Sequence, residues 1–373
     1  MKHSRLFEAV YRPTMLFLAI VLAAAAGAGA STERLSALGG ESRFLVDTDN
    51  VFVYPASAHE LAHFRVELFD DWGGAVYRQG NHAAGLFLNR PTRQLDRLDG
   101  YIAVNGSHNF RRLEPQPLAD LLYAYRLSDQ LSVGLLGHFS YDQSDVAGAQ
   151  ASASNADIRV GLSYRRLEAA VGVVRRSLED NAAEETDGDG LLLDLRLRWP
   201  VADGVELLPH LTWKSDSFAL TPATRERTHT NVGIAANARP ADGVLVVAGL
   251  MATTQNSKNN APGIPKTEDT TLLLPATVLA GEVQVGSMLF RLGIRHENTW
   301  TEREEINDDA TVATEKQFRT NFRTDLGLGL QFGPLTMDGL LERDFLRDGP
   351  HIIGGSRHGG GIFSRVSLTY HLE

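Results

Sequence analysis

The sequence predicts an all-β fold, namely a transmembrane antiparallel β-barrel of 14 to 16 strands with a small N-terminal hatch. Three observations support this prediction: a period-two alternation of apolar and polar residues, connections that alternate in length, and an N-terminal export signal. The 373 residues include no cysteine, which excludes disulfides and Cys-ligated metals. The formal charge of −10, with Lys and Arg scattered along the chain, argues against nucleic-acid binding.

Residues 1–30 have the pattern of a secretory signal peptide. Basic residues precede the apolar run MLFLAIVLAAAAGAG, and Ala28-Gly29-Ala30 has the small-x-small form of a signal-peptidase site. We therefore expect cleavage near Ala30 and a final location in the outer membrane of a Gram-negative-type cell. A membrane anchor is the alternative, although the run is short and alanine-rich for a spanning helix. No later window reaches ~18 consecutive apolar residues, so only a closed sheet could carry the mature chain through a membrane.

The next segment, residues 31–61, contains three short motifs in a distinctive order. Leu38-Gly39-Gly40 is followed by the acidic stretch from Asp47 to Asn50 and by Pro55-Ala56, with Tyr54 where related sequences have Asn. In this order the segment resembles the opening of the fatty-acid-transporter-like outer-membrane proteins and of related barrels found with Bacteroidetes-type secretion systems. The resemblance implies a barrel, usually of 14 strands, with this segment as a hatch inside the lumen. It also implies passive transport of hydrophobic molecules in one branch and a non-catalytic shuttle role in the other.

The hatch ends in His59-Glu60-Leu61-Ala62-His63, which fits the HExxH pattern of zinc peptidases. Such a site needs a long helix, a third protein ligand and a glutamate that faces the metal-bound water. Pro55 limits any helix here to about two turns, and period two resumes directly after His63. We therefore expect a short turn whose imidazoles face water or the lumen, and no metal site.

The remainder, residues 62–373, is predicted to form the barrel. From Leu118 onward, 13 segments place apolar residues on one face and polar residues on the other. In one of them, leucines alternate with Asp194, Arg196 and Arg198. The segments lie near residues 118–127, 131–142, 155–165, 167–178, 190–199, 204–214, 229–238, 243–254, 270–281, 286–300, 317–332, 335–345 and 361–372.

The connections between these segments alternate between short turns and long polar loops. Loops such as SDSFALTPATRERT and TEREEINDDATVATEK all leave the same side of the sheet, as in outer-membrane barrels. A soluble β-sandwich or solenoid would also alternate in polarity, but segments of about ten residues match a tilted spanning strand.

Parity limits the number of strands before Leu118 to an odd value, because the barrel needs both termini on the short-turn side. Three candidates lie at residues 62–70, 72–79 and 82–90, and a single alternative lies at residues 100–106. The totals are 16 and 14 respectively. Under the first count, residues 91–117 form a long loop.

Charged residues on the inward face of the segments are the candidate functional residues. Such charges are costly toward lipid but can be paired or hydrated in a lumen. They either line an open passage or cross-link a plugged interior. These lumen-facing candidates are Asp157, Arg159, Asp194, Arg196, Arg198, Arg291, Arg323, Asp325 and Arg365.

The sequence favours a non-enzymatic protein without metal or cofactor, because no ordered calcium loop, GxSxG motif or Walker motif is present. We predict a passive channel or transporter for small or hydrophobic solutes, in contact with outer-membrane lipid. A structural or secretion-associated barrel without transport is the alternative. A weaker one is an outer-membrane hydrolase, either the HExxH peptidase or an enzyme that uses inward residues such as Ser140 and His138.

Overall fold

The computed structural model describes residues 31–69, 71–91, 116–146, 149–180, 186–220, 223–260, 265–306, 311–341 and 363–372. The predicted signal peptide and the candidate strand at residues 100–106 lie outside these residues. No helix in the described ranges is long and apolar enough to cross a membrane.

The described residues form strands that pair antiparallel with their sequence neighbours. The strands are β1 His63–Glu67, β2 Trp72–Gln79, β3 His82–Leu88, β4 Gln116–Ser128, β5 Leu131–Val146, β6 Ala149–Tyr164, β7 Leu167–Asp180, β8 Thr186–Leu197, β9 Trp199–Ala202, β10 Val205–Leu220, β11 Ala223–Ala238, β12 Val244–Asn260, β13 Lys266–Val285, β14 Met288–Ile306, β15 Val312–Phe332, β16 Leu335–Leu341 and β17 Phe363–His371.

Pairing of the last strand with the first closes the barrel, with His63 opposite His371 and Glu67 opposite Ser367. β8 and β9 both pair with β10 and share one position in the wall, interrupted at Arg198. The closed barrel therefore has 16 positions, which confirms the larger of the two predicted counts. The three early candidates are β1, β2 and β3, and the 14 strands implied by the family resemblance are wrong for this chain.

The two faces of the wall differ in polarity, as the alternation predicted. Large apolar side chains are exposed on the outside, among them Leu121, Leu135, Val160, Val171, Leu191, Val232, Leu279 and Phe290. Charged and hydroxyl side chains such as Asp157, Arg196 and Thr369 are buried inside. Closure gives each position in the wall a paired strand on both sides over at least part of its length, and lipid requires an apolar outer surface. The architecture is that of an outer-membrane β-barrel.

Several strands continue into stretches that the sequence predicted as loops. The predicted loop SDSFALTPATRERT belongs largely to β10 and β11, which stay paired as far as Leu220 and Ala223. β14 and β15 reach 19 and 21 residues. The prediction failed because most side chains on the outer face of these extensions are polar, such as Ser215, Ser217 and Thr314, so the hydrophobic alternation weakens while the backbone ladder continues.

The hatch, residues 31–61, lies inside the barrel as one short helix and three 3-10 turns. The helix α1 spans Thr32–Ala37, and the turns span Ser42–Phe44, Thr48–Phe52 and Pro55–His59. α1 contacts β14 to β17, the first turn contacts β10 and β11, and the last turn contacts β3 to β7. The hatch therefore crosses the lumen from one wall to the other.

Glycines on the inner wall allow the hatch backbone to approach closely. A Cβ at Gly134 would overlap the Pro55–Ala56 peptide, and a Cβ at Gly293 would lie 2.5 Å from the Ala37 carbonyl oxygen. Since real Cβ atoms do not approach that closely, a side chain at either position would displace the hatch. Three further inward glycines also lie against the hatch: Gly161 at the Pro55–Ala56 peptide, Gly249 at the Phe44 ring and Gly327 at the Ala37 side chain.

Candidate functional site in the lumen

The hatch separates two cavities at opposite ends of the lumen. The cavity at the short-turn end measures about 790 Å³ and is lined by Arg34, Asp47, Arg239, Glu282, Arg291 and His371, among others. The cavity at the loop end measures about 550 Å³ and is lined by Thr32, Trp72, Arg90, Arg295, Arg323 and Arg365, among others. Both linings contain charges of both signs.

One ion-pair group joins the middle of the hatch to β8. Arg43 donates to Asp194 from Nε and one terminal nitrogen, at 3.1 and 2.7 Å, and Thr212 donates to the same carboxylate at 2.7 Å. Arg43 also bonds Glu41 within the hatch at 3.1 Å. Although burial alone would raise it, the neighbouring charges of Arg43 and His210 hold the pKa of Glu41 below its usual range. A wall carboxylate thus holds a hatch arginine.

In a second group the arginines belong to the wall, and they donate hydrogen bonds to the hatch. Arg196 donates to the Leu45 carbonyl at 2.6 Å and to Asn50 Oδ1 at 2.9 Å, while Glu168 accepts from Arg196 Nε at 2.7 Å. Arg159 repeats the arrangement: it donates to the Phe52 carbonyl at 3.0 Å and pairs with Asp157 at 2.6 Å. Carbonyls that the 3-10 turns leave free are satisfied in this way.

A third group runs from the start of the hatch into β13, β14 and β16. Arg34 forms a bidentate pair with Glu282 at 2.7 and 2.9 Å, and Arg291 bonds Glu282 at 2.5 Å. Arg291 also donates to Asp338 at 2.6 Å, and Ser31 Oγ donates to the same carboxylate at 2.8 Å. Bidentate geometry makes such pairs stronger and more specific than single contacts.

Asp47 lies at the centre of the hatch and connects two of its elements. Its side chain accepts from the Asp49 N–H and it receives a 3.4 Å contact from Arg34. Its backbone N–H donates to the Asn50 side chain, which completes a capping box on the Thr48–Phe52 turn. Burial, reinforced by the negative charge of Asp49, raises the pKa of Asp47 to about 6.

The structure brings six of the nine lumen-facing candidates into contact with the hatch or into its ion-pair groups: Asp157, Arg159, Asp194, Arg196, Arg198 and Arg291. Arg198 lies 3.4 Å from Glu60 of the hatch and 3.4 Å from Glu206 of the wall. Arg323 pairs with Asp325 on β15, and Arg323 and Arg365 line the loop-end cavity. The interior shown by these residues is plugged rather than open.

Sequence reasoning missed the hatch partners and several wall residues. Arg34 and Arg43 lie in a segment without periodicity, so no pattern gave the direction of their side chains. Arg65 is fully buried on β1 and pairs with Glu67 and Asp49. Its position between His63 and Glu67 at period two was the available signal, in a strand of only five residues.

The HExxH residues do not share a helix. His59 closes the last 3-10 turn, Glu60 is exposed, and His63 begins β1. His59 Nε2 lies 3.0 Å from the Gly80 carbonyl and His63 Nδ1 lies 2.6 Å from the Leu61 carbonyl. Both imidazoles are buried, so neither faces water, one of the two surroundings that the sequence predicted. Among the described residues, no group of three His, Cys, Asp or Glu side chains could hold a metal ion.

The hydrolase candidates Ser140 and His138 are buried inside the wall. His138 Nδ1 bonds Asp120, whose carboxylate also pairs with Arg90. Ser140 Oγ accepts a hydrogen bond from Asn155 at 3.1 Å. The carboxylate and the imidazole therefore lie in a structural ion-pair group, and neither cavity described above is lined by this serine.

Comparisons with known proteins give structural matches only. No protein-family model matches the chain, and no curated protein matches its sequence. Three solved structures with low similarity are the FrpB iron transporter from Neisseria meningitidis, the siderophore receptor PiuA from Acinetobacter baumannii and the ferric yersiniabactin uptake receptor FyuA from Yersinia pestis. Their sequence identities are 9%, 8% and 11%, and their TM-scores are 0.39, 0.39 and 0.34. The matches cover 74%, 75% and 61% of this chain and 60%, 48% and 44% of those chains, so this chain spans less than two thirds of each.

Proposed function

We propose that this chain is an outer-membrane barrel that passes small hydrophilic solutes through its lumen and uses the hatch as its gate. It reaches the membrane after removal of a signal peptide near Ala30. The proposal takes the closed barrel with its apolar outer face as the membrane-spanning part. It assigns the interior, with its two cavities, to passage rather than to catalysis.

The observation that carries the proposal is that the hatch divides the lumen into two cavities and is held to the wall by non-covalent contacts. The hatch is joined to the wall by hydrogen bonds, ion pairs and close packing on glycines, with no covalent link among these contacts. Such contacts have two alternatives, a bound state and a hydrated state, which differ by a few kcal/mol. Release of the hatch would join the two cavities.

The lining of the cavities favours hydrophilic solutes over the hydrophobic ones that the sequence also left open. Arginines and carboxylates from the wall and the hatch surround both spaces. An apolar solute would have to remove water from these charges without replacing their hydrogen bonds, and that exchange is unfavourable. A small polar or ionic solute can replace them.

Planar-bilayer conductance of the purified barrel tests the proposal. Gly134→Leu places a side chain where the Pro55–Ala56 peptide lies, and Gly293→Leu does the same at Ala37. Because overpacking costs about 1–3 kcal/mol, each variant should increase the open probability by about 5- to 150-fold. Gly281→Leu is the matched control, because the nearest atom to a Cβ there lies 3.8 Å away. Its conductance should equal that of the wild type.

Heat-modifiable migration on a gel shows whether each variant forms a barrel before its conductance is interpreted. If Gly134→Leu and Gly293→Leu both form barrels and both stay as closed as the wild type, the hatch is not the gate and the proposal fails. Two independent positions are used because either substitution alone could prevent folding.

A structural barrel that never opens is the second candidate function. The observation in its favour is the number of strong contacts on the hatch, with Arg34, Arg43, Arg159 and Arg196 all engaged between hatch and wall. In this case the wild type shows no opening at any voltage, whereas a variant with a displaced hatch conducts. Spontaneous wild-type openings would exclude it.

A further inference from the structure

The start of the hatch lies against the seam where β16, β17 and β1 close the barrel. We call the residues Ser31, Glu33, Arg65, Glu67 and Asp338 the seam cluster. Ser31 is fully buried, and its hydroxyl bonds the Asp338 carboxylate at 2.8 Å. Asp338 is buried as well. The first residue of the hatch is therefore buried in the lumen against the barrel wall and does not lie at the barrel opening.

Glu33 has no cation in hydrogen-bond contact within this cluster. Its side chain is 1% exposed, and no N–H or hydroxyl donor contacts either carboxylate oxygen. Its hydrogen-bond partner is the Glu67 carboxyl, so two buried acids meet at this point. Two buried carboxyls in contact need a shared proton or a positive group to balance their charge.

The charge balance around the seam cluster points the same way. Guanidinium groups are in the minority, because three of them pair with five carboxylates and Glu33 adds a sixth acid. The arginines are Arg34, Arg65 and Arg291, and the carboxylates are Glu33, Asp47, Asp49, Glu67, Glu282 and Asp338. A buried network with this excess of negative charge needs protons or a further cation.

We propose that cleavage of the Ala30–Ser31 peptide bond supplies this cation as the α-ammonium group of Ser31. In the cleavage, water adds a hydroxyl to the Ala30 carbonyl carbon and a proton to the Ser31 nitrogen, which takes one more proton at neutral pH. The inference rests on the proposed export of the chain. It assigns a role to the new terminus: it clamps the hatch onto the seam.

The geometry places the Ser31 nitrogen near one acid of the seam cluster and in the same helical turn as another. The α-nitrogen of Ser31 is three covalent bonds from the hydroxyl oxygen that contacts Asp338, so it lies near the same carboxylate. Glu33 follows two residues later in the first turn of α1. Before cleavage the nitrogen is a neutral amide and cannot compensate either acid. The hatch of the precursor therefore lacks this ion pair with the seam, and cleavage of the signal peptide creates it.

Amine labelling of the purified mature barrel in detergent tests this clamp. The intact mass first establishes whether the terminus is Ser31. The protein is then treated at pH 7 with an N-hydroxysuccinimide acetate ester, and labelling of the terminus is followed by peptide mass. Each unit of raised pKa lowers the free-amine fraction tenfold. We expect the Ser31 terminus to react at least about ten times more slowly than an extended terminus.

Two variants and one control make the result specific. Insertion of Gly-Ser between Ala30 and Ser31 moves the ammonium group away from the cluster and should restore fast labelling. Asp338→Asn should also accelerate labelling. Asp157→Asn, which removes a buried acid of the same kind on β6, should leave the terminus protected.

The outcomes separate the clamp from the export on which it rests. A mature terminus other than Ser31 would remove the premise about processing and, with it, the clamp. A terminus at Ser31 that labels as fast as the extended one would overturn the clamp and leave export intact. The second result, together with stability that depends on added sodium or calcium, would assign the acidic cluster to a bound metal cation instead.

Discussion

Two regions of the wall, β1 to β3 and β13 to β15, differ in height. The first three strands have 5, 8 and 7 residues, whereas β13, β14 and β15 have 20, 19 and 21. Inward residues of the short strands, such as Trp72 and Phe87, are buried among hatch residues. The long strands contact the hatch in the parts nearer the short-turn end, at Gly293 and Gly327 for example.

This difference separates the strand length that surrounds the hatch from the additional length that extends past it. A strand of 5 to 8 residues suffices to complete the wall beside the hatch. The additional length of β13 to β15 carries polar side chains on both faces, such as the exposed pair of Lys316 and Glu302. Substitutions with the same chemistry should therefore have unequal effects in the two regions.

The largest expected difference concerns buried and exposed arginine pairs. Arg65→Met on β1 leaves Glu67 and Asp49 without their cation in a largely buried site, and should cost about 3–5 kcal/mol of unfolding free energy. Arg303→Met on β14 breaks a half-exposed pair with Asp269 and should cost less than about 1 kcal/mol. Urea unfolding in detergent, read by gel migration, measures both. Equal losses would show that the seam pair has no special role.

Period two predicted the strands and the inward charges because both depend only on the side-chain alternation of a strand. Asp194 and Arg196 could be placed on the inner face without any knowledge of what they contact. The contacts themselves were not predictable, since Arg43 and Arg34 approach the wall from a segment with no period. The contacts of the inward glycines with the hatch were equally unpredictable, because a residue without a side chain does not change the alternation.

A second comparison locates the lipid-facing band. Leu279 is outward-facing and 59% exposed in the lower part of β13, whereas Val312 is 55% exposed at the upper end of β15. Leu279→Arg should destabilise the barrel in lipid by about 2–4 kcal/mol, the cost of arginine near the bilayer midplane. Val312→Arg should cost about 0–1 kcal/mol. Refolding titrations into vesicles measure the difference, and a large loss for Val312→Arg would place the whole length of β15 in the bilayer.

The choice between 14 and 16 strands could not be made from the sequence, and the reason is physical. Parity allowed 16 or 14, and the deciding strand β1 has five residues in which Arg65 and Glu67 alternate with Phe64 and Val66. So short an alternation is weak evidence by itself. Its pairing with β17, at the other end of the chain, is a long-range contact that no local pattern contains.

The smallest expected effect concerns an aromatic pair on the outside of the tall region. The rings of Trp300 and Phe318 lie 5.0 Å apart at an interplanar angle of 45°, directly opposite each other on β14 and β15. A double-mutant cycle with Trp300→Ala and Phe318→Ala should give a coupling of about 0.5–1.5 kcal/mol. The matched cycle of Trp300 with Phe322, four residues along β15, should be additive within about 0.3–0.5 kcal/mol. Coupling of equal size in both cycles would mean that the two strands respond as a unit and that the ring contact contributes nothing of its own.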